Sequence, residues 1–141
     1  MTDGFLKRLS FNVVANDFIA AGKGSSSIKN LLKSMGLEPG IIRKIAIISY
    51  EAEINIVIHS LGGQLHCELY EDKITIISED TGPGIKDIDL AMTEGFSTAP
   101  ESVRELGFGA GMGLPNMKNY SDDFDIKSSR EGTIIKISVF L

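Results

Sequence analysis

A long apolar run constrains this chain more than any other feature of its sequence. Between Pro39 and Ser60 the segment carries Ile41, Ile42, Ile45, Ile47, Ile48, Ile54, Ile56, Val57 and Ile58. Proline suits the first turn of a helix, and Gly62-Gly63 follow the run, so we predict one helix from 39 to 60. Because apolar side chains cover nearly its whole circumference, other elements must bury this helix on most sides.

Three polar residues interrupt the apolar helix at intervals of four. Glu51, Asn55 and His59 therefore lie on one of its faces. An ionised carboxylate on a buried helix is costly unless it is paired or faces a wet cavity. The stripe is either the solvent side of the helix or the wall of a polar site, and spacing does not separate these interpretations. We assign His59 no role.

Strand and helix patterns surround this helix. Five strand patterns are present, at 9–14, 64–70, 73–78, 124–128 and 133–141. Three further helix patterns are present: one ends at residue 36, one covers 85–92 and one begins near residue 114. Turn residues join the second strand pattern to the third and the fourth to the fifth, so both pairs are predicted hairpins. The order predicts an α+β fold, a two-layer α/β sandwich with helices on one face of a mixed sheet.

Composition bounds the function. With 141 residues, the chain is expected to form a single domain over 1–141. A net charge of −5 argues against bulk-electrostatic binding of nucleic acid or a polybasic membrane contact. The sequence shows neither a transmembrane run nor a secretory signal, so a cytoplasmic location is expected. One cysteine, Cys67, and two histidines exclude a zinc constellation, so any metal must have oxygen ligands.

A second motif follows the third strand pattern, where Asp80 precedes Gly82-Pro83-Gly84. The strand delivers the carboxylate as a hydrogen-bond acceptor at its end. Gly82 and Gly84 leave room for a flat ligand beside the backbone. Gly-Pro-Gly is also ordinary turn punctuation, so this motif alone does not identify a site.

Alternating glycines form a third motif. Gly107, Gly109, Gly111 and Gly113 precede Leu114, where a helix is predicted to begin. Glycines so spaced expose successive backbone N–H groups, and a helix start adds positive potential, which together suit phosphates. A dinucleotide-binding fingerprint is excluded, because no strand-turn-helix unit of a parallel sheet precedes the glycines.

In this order, the three motifs resemble those of the ATP-binding superfamily shared by histidine kinases, type II topoisomerases, ninety-kilodalton chaperones and mismatch-repair ATPases. The motifs are Glu51-x-x-x-Asn55, Asp80-x-Gly82-x-Gly84-Ile85 and Gly107-x-Gly109-x-Gly111-x-Gly113-Leu114. The resemblance extends over residues 43–133 and implies the histidine-kinase-like (Bergerat) ATPase fold. At this length the chain looks most like free-standing bacterial anti-sigma factors and switch serine kinases, and residues 87–98 are similar to the switch-kinase branch.

The resemblance implies an adenine site around Asp80. This carboxylate would accept a hydrogen bond from the adenine amino group, and Thr133 would support it through water. Gly82 and Gly84 would admit the base.

The resemblance also implies a phosphate site with magnesium. Asn55 would be a Mg²⁺ ligand, and a neutral oxygen suits this hard cation. Glu51, one turn away, would be the general base. The third motif, from Gly107 to Leu114, would bind the ATP phosphates, and residues 94–108 would form a mobile lid.

The implied function is that of an ATP-dependent protein serine/threonine kinase. Its substrate would be a small regulatory protein resembling an anti-sigma-factor antagonist. A sigma factor is a second partner that the resemblance implies, and since such relatives often form homodimers, a homodimer is a third expectation. Neither nucleic acid nor a membrane is an expected partner.

Two other functions fit the same motifs. A non-catalytic, ATP-gated binding module would need Asn55, Asp80 and the glycines, but it gives no reason for a carboxylate at Glu51. A detached histidine-kinase catalytic domain acting in trans is the other alternative, although the sequence before the apolar helix is too short for a phospho-accepting helical hairpin as well as a strand and a helix. The third motif is also fuller than in many anti-sigma factors, which weakens the sigma-binding assignment.

Overall fold

The computed structural model describes residues 4–85, 88–92 and 113–141. Its elements in these ranges are β1 (Phe5–Val13), α1 (Lys23–Ser34), α2 (Pro39–His59), β2 (Gly63–Tyr70), β3 (Lys73–Thr81), α3 (Ile88–Ala91), α4 (Gly113–Asn119), β4 (Asp123–Ser129) and β5 (Gly132–Phe140). The apolar helix and both predicted hairpins are confirmed. Of the short helix predicted over 85–92, the described part is α3, and residues 85 and 92 lie outside it.

The strands form one five-stranded sheet in the order β1-β2-β3-β5-β4. The α+β class and the two-layer arrangement are confirmed, but in the described chain all four strand pairings are antiparallel, where a mixed sheet was expected. The reason is the connection between β1 and β2. A connection with a single helix would place β2 parallel to β1. Here α1 and α2, joined by the short segment 35–38, form an antiparallel pair, so β2 runs antiparallel to β1.

The helices cover one face of the sheet. Helix α2 packs against α1, α4 and four of the five strands, and α4 also contacts β4. Alternate strand residues point toward this layer, as period-two geometry requires. The fully buried core side chains include Ile45, Ile48, Ile56, Leu65, Ile76 and Ile137. In the described ranges no helix is both long and apolar enough to cross a bilayer.

The beginning of α1 is held by a side chain from another helix. Glu53 on α2 accepts hydrogen bonds from the backbone N–H groups of Gly24, at 3.1 Å, and Ser25, at 3.0 Å. Both donors belong to the first turn, where a helix has no internal acceptors. The Glu53 residue is only 3 % exposed, so these bonds and the positive end of the helix compensate a buried carboxylate.

Replacing Glu53 tests this contact. We expect Glu53→Ala to lower the free energy of unfolding by about 1–3 kcal/mol for each buried donor left unpaired. Denaturant unfolding measures the change. Glu38→Ala removes an exposed carboxylate just before α2, the helix that carries Glu53. It serves as the control, for which we expect a near-zero effect on the free energy of unfolding. Equal losses in the two variants would contradict a capping role for Glu53.

Candidate functional site

At the start of α4, Glu51 and Asn55 of the first motif lie next to Gly113, the last glycine of the third motif. Glu51 and Asn55 lie one turn apart on α2, and both are half-buried. A Cβ atom built on Gly113 would lie 3.1 Å from Asn55 Oδ1 and 3.2 Å from Glu51 Oε2. The absence of a side chain at Gly113 therefore leaves space directly against the polar ends of both residues.

The electrostatics of Glu51 result from two opposing causes. Burial raises the pKa of Glu51, and a hydrogen bond from the Asn116 side chain acts to lower it. A buried carboxylate with a raised pKa accepts a proton more readily than an exposed one, which suits a general base. Asn116 was not among the predicted site residues. Its position three residues after Gly113, on the same face of one helix, is the signal that could have identified it.

Asp80 lies at the end of β3, on the face that points toward the helices. It follows Ile76 and Ser78, both buried, with the alternation of the strand. The backbone N–H of Thr133 on β5 donates a hydrogen bond of 3.0 Å to Asp80 Oδ1. Burial raises the pKa of Asp80, and the bond from Thr133 opposes this. The two residues are therefore joined by a hydrogen bond from the Thr133 main chain, and support of an adenine contact through water stays a prediction.

Ser128 on β4 extends this pair and was missed at the sequence level. Its hydroxyl lies 2.8 Å from the Thr133 hydroxyl and accepts a hydrogen bond of 2.7 Å from the Ile85 backbone N–H. Gly84, just before Ile85, has a φ of +76°, and a Cβ there would overlap the Ser129 carbonyl oxygen. Nothing in the local sequence around Ser128 distinguishes it from an ordinary strand serine. The pairing of β4 with β5 gives it this role.

The turn after β3 also packs on the end of α2. A Cβ on Gly82 would lie 3.3 Å from the Ser60 Cα atom, and the Gly82 N–H donates a hydrogen bond of 3.2 Å to the Glu131 carbonyl oxygen. This close approach of two main chains explains why a residue without a side chain occupies position 82, independently of any ligand.

The third motif is described only at its end. Gly113 forms the wall next to Glu51 and Asn55, whereas the Leu114 side chain is 8 % exposed and belongs to the apolar core. Gly107, Gly109 and Gly111, and the lid expected at 94–108, lie outside the described residues.

The oxygen donors at this site suit magnesium. Within the described ranges, no group of three or more histidine, cysteine, aspartate or glutamate side chains could hold a metal. Magnesium is commonly held by one or two protein oxygens together with substrate phosphates and water. Asn55 Oδ1, beside the space at Gly113, is one protein oxygen of this kind.

Comparison with known proteins adds a family match to this geometry. The family model described as histidine kinase-, DNA gyrase B-, and HSP90-like ATPase matches residues 40–141. The serine/threonine-protein kinase RsbT of Bacillus subtilis (strain 168) is 34% identical over 113 residues, covering 77% of this chain and 79% of the relative. An anti-sigma F factor of Clostridium novyi (strain NT) is 36% identical over 92 residues, covering 60% and 61%.

A relative that matches over a greater length is an anti-sigma F factor of Caldanaerobacter subterraneus. It is 26% identical over 140 residues, covering 92% of this chain and 94% of the relative. Among solved structures, a chain of the SiaB–SiaC complex from Pseudomonas aeruginosa superposes with a TM-score of 0.64 at 12% identity, covering 97% of this chain and 90% of that one. At this identity, the likeness concerns the fold.

Gly113→Ala tests the space beside the first motif. A methyl group would press on Asn55 Oδ1 and Glu51 Oε2, so we expect affinity for ATP with magnesium to fall by about tenfold or more, the equivalent of ~1.4 kcal/mol. Isothermal titration calorimetry measures this. Helix stability should be retained, because alanine is the better helix former.

The matched control is Gly40→Ala. Gly40 lies in the first turn of α2, and its added Cβ would meet only the flexible end of Glu38, at 3.4 Å. We expect Gly40→Ala to bind ATP as the unmodified protein does. The interpretation of Gly113 is wrong if both alanine variants bind equally well.

Proposed function

Because the chain belongs to the histidine kinase-, DNA gyrase B- and HSP90-like ATPase family, we propose that it is an ATP-dependent protein kinase. It would transfer the γ-phosphate of ATP to a serine or threonine of a small regulatory protein. The observation that carries this proposal is the convergence of the Glu51 carboxylate and the Asn55 amide oxygen at Gly113. Residues 1–141 would form one ATP-binding kinase-like domain.

Asp80 would recognise the adenine. Each carboxylate oxygen can accept more than one hydrogen bond, so Asp80 can bind the adenine amino group while it holds the Thr133 N–H. Thr133 and Ser128, joined through their hydroxyls, keep the carboxylate side of the pocket in place. Gly82 and Gly84 would lie beside the base. The N–H of Ile85, the residue after Gly84, donates a hydrogen bond to the Ser128 hydroxyl and so connects this turn to Ser128 and Thr133.

Asn55 would hold the magnesium ion, whose charge offsets the negative charge of the phosphates. A single amide oxygen leaves several coordination positions for phosphate oxygens and water, which magnesium prefers. Gly107, Gly109, Gly111 and Gly113 would complete the phosphate site.

Glu51 would act as the general base. The partner's hydroxyl oxygen forms a bond to the γ-phosphorus while the bond between that phosphorus and the β–γ bridging oxygen breaks, so ADP leaves. The hydroxyl proton passes to the Glu51 carboxylate. Since a protonated carboxylate cannot accept this proton, the transfer rate must fall as the pH drops through the raised pKa of Glu51.

The relatives support the partner class. One is a serine/threonine-protein kinase and others are anti-sigma F factors, so a small regulatory protein is the substrate we propose. The anti-sigma F factor relatives also support a sigma factor as a further proposed partner, whereas a homodimer stays an expectation from the sequence resemblance. A kinase of this kind needs the cytoplasmic pool of ATP, and the proposal includes that location.

Asp80→Asn tests the adenine assignment. The substitution keeps an oxygen for the Thr133 N–H, but it removes a charge-assisted bond worth about 1.5–3 kcal/mol and adds a competing donor. We expect ATP affinity to fall by roughly tenfold or more in calorimetry. Asp72→Asn, at the exposed turn of the same hairpin, should bind ATP normally.

The unmodified protein should prefer ATP to GTP, because the exocyclic oxygen of GTP would oppose the Asp80 carboxylate. Equal affinities for the two nucleotides would exclude the adenine assignment.

A pair of variants on α2 tests phosphoryl transfer. Glu51→Gln keeps the shape of the side chain and removes the base, so ATP affinity should survive while transfer slows by about 10²–10⁴-fold. Asn55→Ala removes the magnesium ligand and should reduce both binding and transfer. ATP affinity and transfer of labelled phosphate to partner proteins encoded nearby are measured side by side. If the unmodified protein modifies no partner while ATP changes its affinity for one, it is an ATP-gated binding module and not a kinase.

A further inference from the structure

A serine, a histidine and a glutamate lie next to one another on the face of the sheet opposite the helices. Ser10 on β1 lies opposite His66 on β2, and Glu79 on β3 is two residues from the residue opposite His66. His66 alternates with Leu65 and Cys67, which belong to the core, so its side chain points away from the helices. The sheet therefore separates this cluster from the side chains of α2 and α4 at the candidate ATP site.

The three side chains are close enough to act together. The Ser10 Oγ atom lies 2.7 Å from His66 Nδ1, and His66 Nε2 lies 3.7 Å from Glu79 Oε1. The His66 residue is only 3 % exposed, whereas Ser10 and Glu79 are exposed. The imidazole is thus held inside the protein, between a hydroxyl and a carboxylate that both reach the surface.

The surroundings of Nε2 determine which ring nitrogen carries the proton. A neutral imidazole has one N–H and one lone pair. Within the described ranges the buried Nε2 atom of His66 makes no hydrogen bond, and the Glu79 carboxylate faces it. A lone pair on Nε2 would be buried against a negative charge, so the proton belongs on Nε2. The lone pair on Nδ1 then accepts the Ser10 O–H, which is the arrangement that activates a hydroxyl as a nucleophile.

We propose that Ser10 is a nucleophile toward activated acyl esters, with His66 as its general base and Glu79 as a positioning residue. Ser10 Oγ forms a bond to the carbonyl carbon of the ester, and its proton passes to His66 Nδ1. The bond from that carbon to the leaving oxygen breaks, and His66 returns the proton to this oxygen. The products are acyl-Ser10 and an alcohol. Between the two proton transfers, the Glu79 carboxylate offsets the charge of the imidazolium.

The position of Ser10 leaves room for an acyl donor. In the described chain, β1 is the outermost strand on its side of the sheet, and it pairs with β2 alone. Ser10 also contributes to the wall of a cavity of about 320 Å³, which Phe11, Val13 and Val57 line as well. An apolar lining of this kind suits a short acyl group such as acetyl.

The charged groups around His66 favour a neutral base. Burial lowers the pKa of His66 and the Arg8 charge on β1 lowers it further, whereas Glu79 on β3 and Glu68 on β2 raise it, with a lowered pKa as the result. Lys136 on β5 lies two strands away in the same cross-strand row. Since a protonated imidazole cannot accept the serine proton, acylation must slow as the pH falls through this lowered pKa.

The experiment is incubation of the unmodified protein with p-nitrophenyl acetate at neutral pH, without ATP. Peptide mass spectrometry locates each acetyl group and measures its rate of addition. Ser27 and Ser34 are matched internal controls, because both are exposed and their hydroxyls donate to main-chain carbonyl oxygens, which cannot take up a proton. We expect acetylation of Ser10 to be about 10²–10⁴-fold faster than that of either control. Equal rates at the three serines overturn the proposal.

Variants test the three roles. Ser10→Ala should abolish the fast release of p-nitrophenolate, a readout that also covers rapid removal of the acetyl group by water. His66→Gln removes the base and should reduce acetylation of Ser10 to the rate of Ser27. Glu79→Gln should slow acetylation and move the acid limb of the pH profile to lower pH, because the Glu79 charge raises the pKa of His66.

A merely structural pair of Ser10 and His66 predicts a different pH profile. Without a base, the rate at Ser10 rises with hydroxide concentration and does not level off above the pKa of His66. Thermal unfolding shows which variants are folded, and if His66→Gln is not, the pH profile of the unmodified protein decides. A profile that does not level off overturns the proposal. Because no ATP is present, this outcome is separate from that of the proposed kinase function.

Discussion

The burial of α2 is the constraint on which the rest of the structure depends. A helix that is apolar nearly all round has to be covered on most sides, and the sheet, α1 and α4 provide that cover. The polar pair Glu51 and Asn55 cannot be covered in the same way without losing hydration. The candidate site lies where α4 begins, because glycine at position 113 covers the pair with main chain and leaves no side chain over it.

Two carboxylates on this helix show how surroundings assign different roles to one residue type. Glu53 is fully enclosed and bound by two main-chain N–H groups of α1, so its charge stabilises a helix end. Glu51, two residues earlier, points to another side of the helix, where burial raises its pKa beside an amide partner. The first arrangement caps a helix, and the second suits proton exchange. Composition alone makes the two residues equivalent.

The pattern of the sequence was enough to name the main candidate site residues, because the residues with the strongest chemical signal lie within single elements. The spacing of Glu51 and Asn55 is a property of one helix, and Asp80 before its glycines is a property of one strand and turn. Partners contributed by other elements were harder to predict. Ser128 and Asn116 are ordinary residues in their own segments, and each acquires its contact only when β4 pairs with β5 or α4 packs on α2.

The sequence by itself determined which segments are helices and strands, that α2 is buried, and which motifs are candidates for the chemistry, since periodicity and residue type are local properties. Only the tertiary structure decided that the described sheet pairings are antiparallel, that Thr133 meets Asp80 through its main chain, and that Glu53 rather than Glu51 caps α1. The physical reason is that buried charges and main-chain groups must find partners across elements. Those partners are chosen by three-dimensional packing, which no single segment encodes.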